Sequence, residues 1–468
     1  MTFALPWLVP SPVKKSSFTS LKMQGGLFNI EVDLGLIRPF DASDRTLQNV
    51  IHSDLQLVSR PDGTLRMGSG RSGFYRGHYL KGVGRTLIAG NWNVPEDRYH
   101  GTGILNGGGA AREYLASLYM KSKNLEGSII PCNHVLFRKM EKKTAKAFEQ
   151  IFIPMTRLKP PLMPLDQSLQ AITVKTGEFS RLSNLNWFLY RTLNPSDENE
   201  ITQFVIFMLY ALTNRMPSGK ETPEQIVNTI ENTALTAFEH FQNFHLAGVH
   251  WGSFEDNFTT EGRFLDLETP IFYGGPILGF SLFPDTLKTG NIEFRNVFGM
   301  EFMEYANQLS RFLVNFMSRL NILLSGKQMS PMERQFTKEL HFELDRMLKR
   351  QPLLSSKQDR ITAILERMSN THGLNVKSLF RKKKILIHPD KGLEFTNPTE
   401  IKKWNLSVAR AEIHERATIG FISGIDPDTK TQSTAKKWNS ILIDIDGKRK
   451  IDEIFELLEN AEESASTS

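Results

Sequence analysis

Cysteine is nearly missing from this chain: Cys132 is the only one in 468 residues. A lone thiol excludes an intramolecular disulfide and a cysteine-rich zinc site, so the fold must stand on packing, and the usage fits a reducing, cytoplasmic setting. Long apolar runs are missing as well. The most apolar internal run, residues 204–212, has nine residues, against roughly 18 for a bilayer span, so it is expected to be a core helix and no membrane span is expected. The opening MTFALPWLVPSPVKKSS places its apolar stretch before its lysines, the reverse of a secretory signal, and reads as a packed arm or flexible tail. Neither sign of charge dominates: 57 Lys and Arg against 51 Asp and Glu leave +6, which identifies no partner, and no nucleic-acid ligand is expected. There is no internal repeat. Gly-x-Ser-x-Gly followed by a helix is absent, which leaves a Ser-His-Asp hydrolase unsupported. His245 and His250 are five apart and lack the i, i+4 spacing of a helical zinc pair, so they read as packing or hydrogen-bonding residues.

What is present is the composition of an ordinary globular protein, 40% hydrophobic and 23% charged. At roughly 100–200 residues per domain, two to three units are expected. After an arm at 1–26, short β-branched and aromatic stretches between Gly, Pro, Asp and Asn predict a sheet-rich region up to residue 177, interrupted by one helix. That helix follows the glycine-rich segment HGTGILNGGG, residues 100–109, and carries Leu115, Leu118 and Tyr119 at i, i+3, i+4 spacing. Residues 178–327 are predicted to be dominantly helical, with a long periodic stretch at 222–244, and 328–468 to be a helical extension.

The chemistry-bearing stretch is HWGSFEDNFTTEGRFLDLET, within 250–269. Apolar and polar residues alternate on both sides of Thr260, Glu261 and Gly262, the pattern of strand, tight turn, strand. Such a hairpin can gather Asn257 and Asp266 around a hard cation such as Mg²⁺ and leave Asp256 for a proton. Turn and edge-strand hydrogen bonding is the alternative use of these polar residues. Upstream, Lys81 lies in a strand-like context and Glu113 on the helix that follows. A strand lysine held by a helical carboxylate is how kinases grip phosphate.

These residues resemble the selenoprotein O family of pseudokinase-like protein adenylyltransferases. Tyr79-Leu80-Lys81-Gly82-Val83-Gly84 is similar to the family's Q-L-K-G-A-G. Arg112-Glu113-Tyr114-Leu115-Ala116-Ser117-Leu118-Tyr119-Met120 is similar to its R-E-(Y/F)-(I/L)-x-S-E-A-(M/L). The family segment H-G-V-(x)-N-T-D-N-M-S-I-L-G-x-T-(x)-D-Y-G aligns without a gap from Asp256-Asn257 to Asp266, with Phe254-Glu255 replacing its Asn-Thr. The resemblance covers about half the chain.

The resemblance implies an α+β, two-lobed, atypical protein-kinase-like fold with a β-rich N-lobe, a helical C-lobe and a helical C-terminal extension. It implies ATP and Mg²⁺ as cofactors and transfer of AMP to a hydroxyl of a protein or peptide. Lys81, paired with Glu113, would contact the nucleotide phosphates, Asn257 and Asp266 would hold metal, and Asp256 would be the general base. Arg157 and Lys175 would take the terminal phosphate of an ATP seated in reverse. The glycines Gly82, Gly84, Gly101 and Gly103 would let backbone N–H groups approach the phosphates. The family's closing R-N-P…R-N stretch is missing, so the chain is expected to be a divergent member. An ATP-dependent glutamylase or a conventional kinase on the same fold is the alternative enzyme. The alternative outside catalysis is a nucleotide-binding adaptor, because residues 381–392, RKKKILIHPDKG, resemble the His-Pro-Asp loop and basic helix with which J-domains contact a chaperone. Ile443-Asp444-Ile445-Asp446-Gly447 reads as a strand entering a turn rather than as a cation loop.

Overall fold

The computed structural model describes residues 8–12, 19–22, 50–54, 57–59, 65–67, 71–75, 77–83, 103–140, 142, 169–185, 200–247, 249–250, 257–268, 271–272, 277–282, 294–296, 300–326, 329–356, 359–360, 362–364, 366–367, 385–388, 392–395, 418–423, 437–438, 440–441 and 451–466. Helix and antiparallel sheet are mixed in an α+β arrangement. The main sheet draws on β1 (Leu8–Pro12), β2 (Thr19–Lys22), β3 (Val50–Asp54), β6 (Ser72–Tyr75), β7 (His78–Lys81), β8 (Leu105–Asn106), β9 (Cys132–Lys139) and β10 (Leu169–Thr176). A separate small hairpin joins β4 (Leu57–Ser59) to β5 (Leu65–Met67). The order in the main sheet is β1-β3-β6-β7-β10-β9-β2, with β8 also pairing β10. β10 (LQAITVKT) is buried at every position but its last, as its central place and its β-branched residues require.

The described N-terminal strands are packed into the main sheet: β1 pairs β3 and β2 pairs β9. Their partners are distant in sequence, which local reading cannot see.

Helix α1 (Gly107–Ser122) packs on β9 and β10. Asn106 caps it, its Oδ1 accepting from the Gly109 N–H at 2.5 Å. The helical region contains α2 (Glu200–Thr213), α3 (Pro223–Leu246), α4 (Met300–Ser325) and α5 (Pro331–Arg350), and α3, α4 and α5 pack on one another. α5 begins with a complete capping box between Ser330 and Glu333 and has Pro331 in its first turn, the residues a helix start calls for. Phe241 sits at the centre, within 5.7 Å of Phe302 and 5.9 Å of Tyr305, ring to ring. None of the described helices is long and apolar enough to cross a membrane.

Beyond residue 328 the chain is not simply helical. β15 (Ile385–His388) and β16 (Gly392–Phe395) form a hairpin. β17 (Thr418–Ser423) pairs with β13 (Ile277–Leu282), which also pairs β14 (Phe294–Asn296). The stretch Ile385-Leu386-Ile387 is β-branched and apolar, so a strand wins over the expected helix. His388 therefore ends a strand and stands opposite Gly392; a β-hairpin flanks the triplet where a J-domain has helices. The last helix, α6 (Ile451–Ser466), buries Ile454, Leu458 and Ala461 and packs on α1.

Candidate functional site: a buried charge cluster between sheet, helix and turn

Register decides which side chains meet. In the β7 and β10 pair, Lys81 lies opposite Thr173 and Tyr79 opposite Lys175. Opposed residues, and alternate residues along each strand, share a face. The two lysines therefore project from the same side of the sheet. Helix α1 brings Glu113 to that side.

The pairing differs from the one expected. Glu113 is ion-paired with Lys175, not with Lys81, and Lys175 also donates to the Leu265 carbonyl. Neither side chain of that pair has any exposed surface. Lys81 instead lies 2.6 Å from Asp266 Oδ2 and 2.5 Å from Glu268 Oε1. Arg71 reaches the same Glu268 oxygen at 3.3 Å and donates to the Ile104 carbonyl at 3.3 Å.

Asp266 and Glu268 arrive on the return arm of a tight turn. The Thr259 N–H donates to the Arg263 carbonyl at 2.9 Å, the Leu265 N–H to the Asn257 carbonyl at 2.9 Å, and Phe258 bridges to Phe264. Further out, β11 (Val249–His250) pairs with β12 (Ile271–Phe272). Gly262 has φ +73°, and a Cβ there would stand 2.5 Å from the Ala237 Cβ, so only glycine fits this close approach to α3. Thr260 donates to the Ala211 carbonyl and accepts at its own carbonyl from the Tyr305 hydroxyl, both at 2.5 Å. The turn is thus pinned to the helical region, and its return arm delivers carboxylates to the sheet lysines.

Asn257, on the outgoing arm, accepts from Arg181 at 3.3 Å. Arg181 also donates to the Tyr79 hydroxyl, which donates to Ser72 Oγ at 2.7 Å. Arg181, Arg71 and Glu268 are parts of this site that sequence reasoning missed. A signal for Glu268 existed: Asp-x-Glu on an extended arm puts both carboxylates on one face. The two arginines gave none, since nothing local marks a cation that pairs across the fold.

Gly82, Gly107 and Gly109 lie against closely packed neighbours. Gly107, Gly108 and Gly109 are not a loop but the buried first turn of α1. A Cβ on Gly107 would stand 2.9 Å from the Leu169 Cβ, and one on Gly109 would stand 3.3 Å from Glu268 Oε2. The first turn of α1 has no acidic residue of its own; Glu268 supplies negative charge beside it, where the helix dipole favours an anion. Gly82 has φ +96°, and a Cβ there would press on Leu105 at 2.7 Å. Gly103 has φ +76° just ahead of β8. Asp256, Gly84, Gly101 and Arg157 lie outside the described residues.

Burial alone would discharge these groups, yet the neighbours win. Desolvation pulls the Lys81 ammonium down, but Asp266, Glu268 and Glu113 together hold its pKa above the ordinary lysine value. Desolvation likewise pushes Asp266 up, and Lys81, Arg71 and Lys175 outweigh it, holding the carboxyl below the usual carboxylate range. One carboxylate oxygen from each of Glu113, Asp266 and Glu268 falls within 4.8 Å of the others. Such hard oxygen donors suit Mg²⁺ or Mn²⁺. Cys132, buried beside Glu113, has its thiol pushed up chiefly by burial, which makes it inert rather than nucleophilic.

No protein-family model and no curated protein matches the chain.

Proposed function

We propose that this chain is a Mg²⁺- and ATP-dependent transferase that moves AMP to a hydroxyl of a protein or peptide, on a two-lobed kinase-like architecture. One observation carries the proposal: the buried lysine of a central strand meets the half-buried Asp266, delivered from far along the chain by a turn, at 2.6 Å. A surface lysine would have no reason to be buried against two acids. The resemblance of the segments around Lys81, Glu113 and Asp256 to Asp266 to the selenoprotein O family gives that contact its chemical sense.

The acidic donors Glu113, Asp266 and Glu268 suit a hard divalent ion; Asp266, with Asn257, would hold it, and it would neutralise phosphate charge. Lys81, kept charged by its carboxylates, would hold the phosphates. Asp256 would take the acceptor hydroxyl's proton as its oxygen bonds to the α-phosphorus. The bond from that phosphorus to the bridging oxygen then breaks and pyrophosphate leaves. Arg157 would face the terminal phosphate. Lys175, enclosed and ion-paired with Glu113, would instead fix α1 to β10.

ATP labelled at the α or the γ position tests the proposal on the full chain. Retention of the α label on a protein product supports adenylyl transfer. Retention of the γ label would make the chain a conventional kinase, and pyrophosphate release with an amino acid added to the target would make it a glutamylase. Neither label retained and no turnover would reduce it to a nucleotide-binding protein.

A further inference from the structure

The buried acids Glu113 and Glu268 and the half-buried Asp266 are balanced by Lys81, Lys175 and Arg71, three charges against three. Two of those cations are fixed differently from the third. Lys175 is anchored additionally by the Leu265 carbonyl and Arg71 by the Ile104 carbonyl. Among the described residues, the Lys81 ammonium is held by the two carboxylates alone. Glu113 also has an oxygen to spare: its Oε2 is buried and has no hydrogen-bond partner, although the side chain is wholly enclosed. An enclosed carboxylate oxygen without a donor is costly unless something cationic can reach it.

We propose that Glu113, Asp266 and Glu268 form a divalent-cation site in which the Lys81 ammonium is a built-in competitor, so that metal and Lys81 exclude each other. A dication added while all three bases stay in place would leave an uncompensated +2 in a buried site, which is strongly unfavourable. Once Lys81 swings out, the acids carry one net negative charge and accept the metal. Glu268 is thereby both a metal ligand and the latch on Lys81. The site rests on the proposed function only for the identity of the anion that draws Lys81 away, a nucleotide triphosphate. The competition itself stands on the contacts above. Its consequence is an order: the lysine must be drawn off before the metal seats, and each event strengthens the other by linkage.

Mn²⁺ binding to the full chain, followed by electron paramagnetic resonance without nucleotide, tests this. Lys81→Met should bind Mn²⁺ at least about tenfold more tightly than wild type, within the usual range of coupling between sites. Adding Glu268→Gln to that variant should remove the gain. Equal or weaker binding by a folded Lys81→Met would overturn the proposal, as would a gain that survives Glu268→Gln. Wild-type protein gives a second measurement should Lys81→Met fail to fold. Carbamylation of Lys81 by cyanate, read by mass spectrometry, should speed up on adding Mn²⁺ if the metal expels the ammonium. Slower or unchanged labelling would contradict it. Neither measurement contains ATP, so failure here and failure of adenylyl transfer are told apart.

Discussion

Two buried regions of this molecule are built from opposite materials. Between α3, α4 and α5 the chain packs rings and aliphatic side chains such as Phe241, Phe302, Leu340 and Leu344, all almost fully enclosed. Between β7, β10, α1 and the 257–268 turn it encloses Arg71, Lys81, Glu113, Lys175 and Glu268 just as completely. The first arrangement stabilises, because burying apolar surface is favourable. The second gains little net stability, since desolvating each ion offsets most of the attraction between partners. Leucines of similar volume would hold at least as well as these interlocked charges, so the contrast singles out this cluster as the candidate site before any motif is consulted.

Breaking one partner of the most buried ion pair should have the largest effect. Lys175→Met leaves Glu113 charged and enclosed, and should cost about 3–5 kcal/mol in urea unfolding. Combining it with Glu113→Leu should recover much of that loss. A double variant as unstable as the sum of the two single ones would mean that the pair is not coupled as described. In the apolar region Leu344→Ala should cost about 3 kcal/mol through a cavity, and no second substitution removing a charge should rescue it.

A smaller effect should appear in acid. Asp266 has a folded pKa held below its ordinary value, so its contribution is present above about pH 4 and is lost as pH falls through the folded value. The stability difference between wild type and Asp266→Asn should therefore be constant near neutrality and shrink below about pH 4. Leu344→Ala should show no such dependence, and a pH-independent gap for both variants would erase the distinction between the regions.

Much of this architecture could be read from the residues, for reasons specific to each element. The i, i+3, i+4 spacing of Leu115, Leu118 and Tyr119 marked α1, and the periodic stretch at 222–244 marked α3, because an amphipathic face is written locally. The turn at Thr260 and Glu261 was legible because strand alternation flanked turn residues. The N-terminal strands and the β15–β16 hairpin were not, because their partners or their tertiary setting decide them. Gly107 to Gly109 misled for a physical reason: glycine costs about 1 kcal/mol in a helix interior, and here contact with Leu169 and Glu268 overrides that preference. Within the site, Lys81, Glu113, Asn257 and Asp266 could be singled out by residue type and spacing. Their partners could not, because Lys175 reaches Glu113 and Glu268 reaches Lys81 only through the register of β7 with β10 and the path of the turn.

The proposed function requires Asp266 and Lys81 to form a nucleotide and metal centre rather than a structural strut. Equilibrium binding of ATP with and without Mg²⁺, compared between wild type and Asp266→Ala, tests this most directly. The variant should lose the metal-dependent part of the affinity; an affinity for Mg-ATP equal to that of wild type would contradict the assignment.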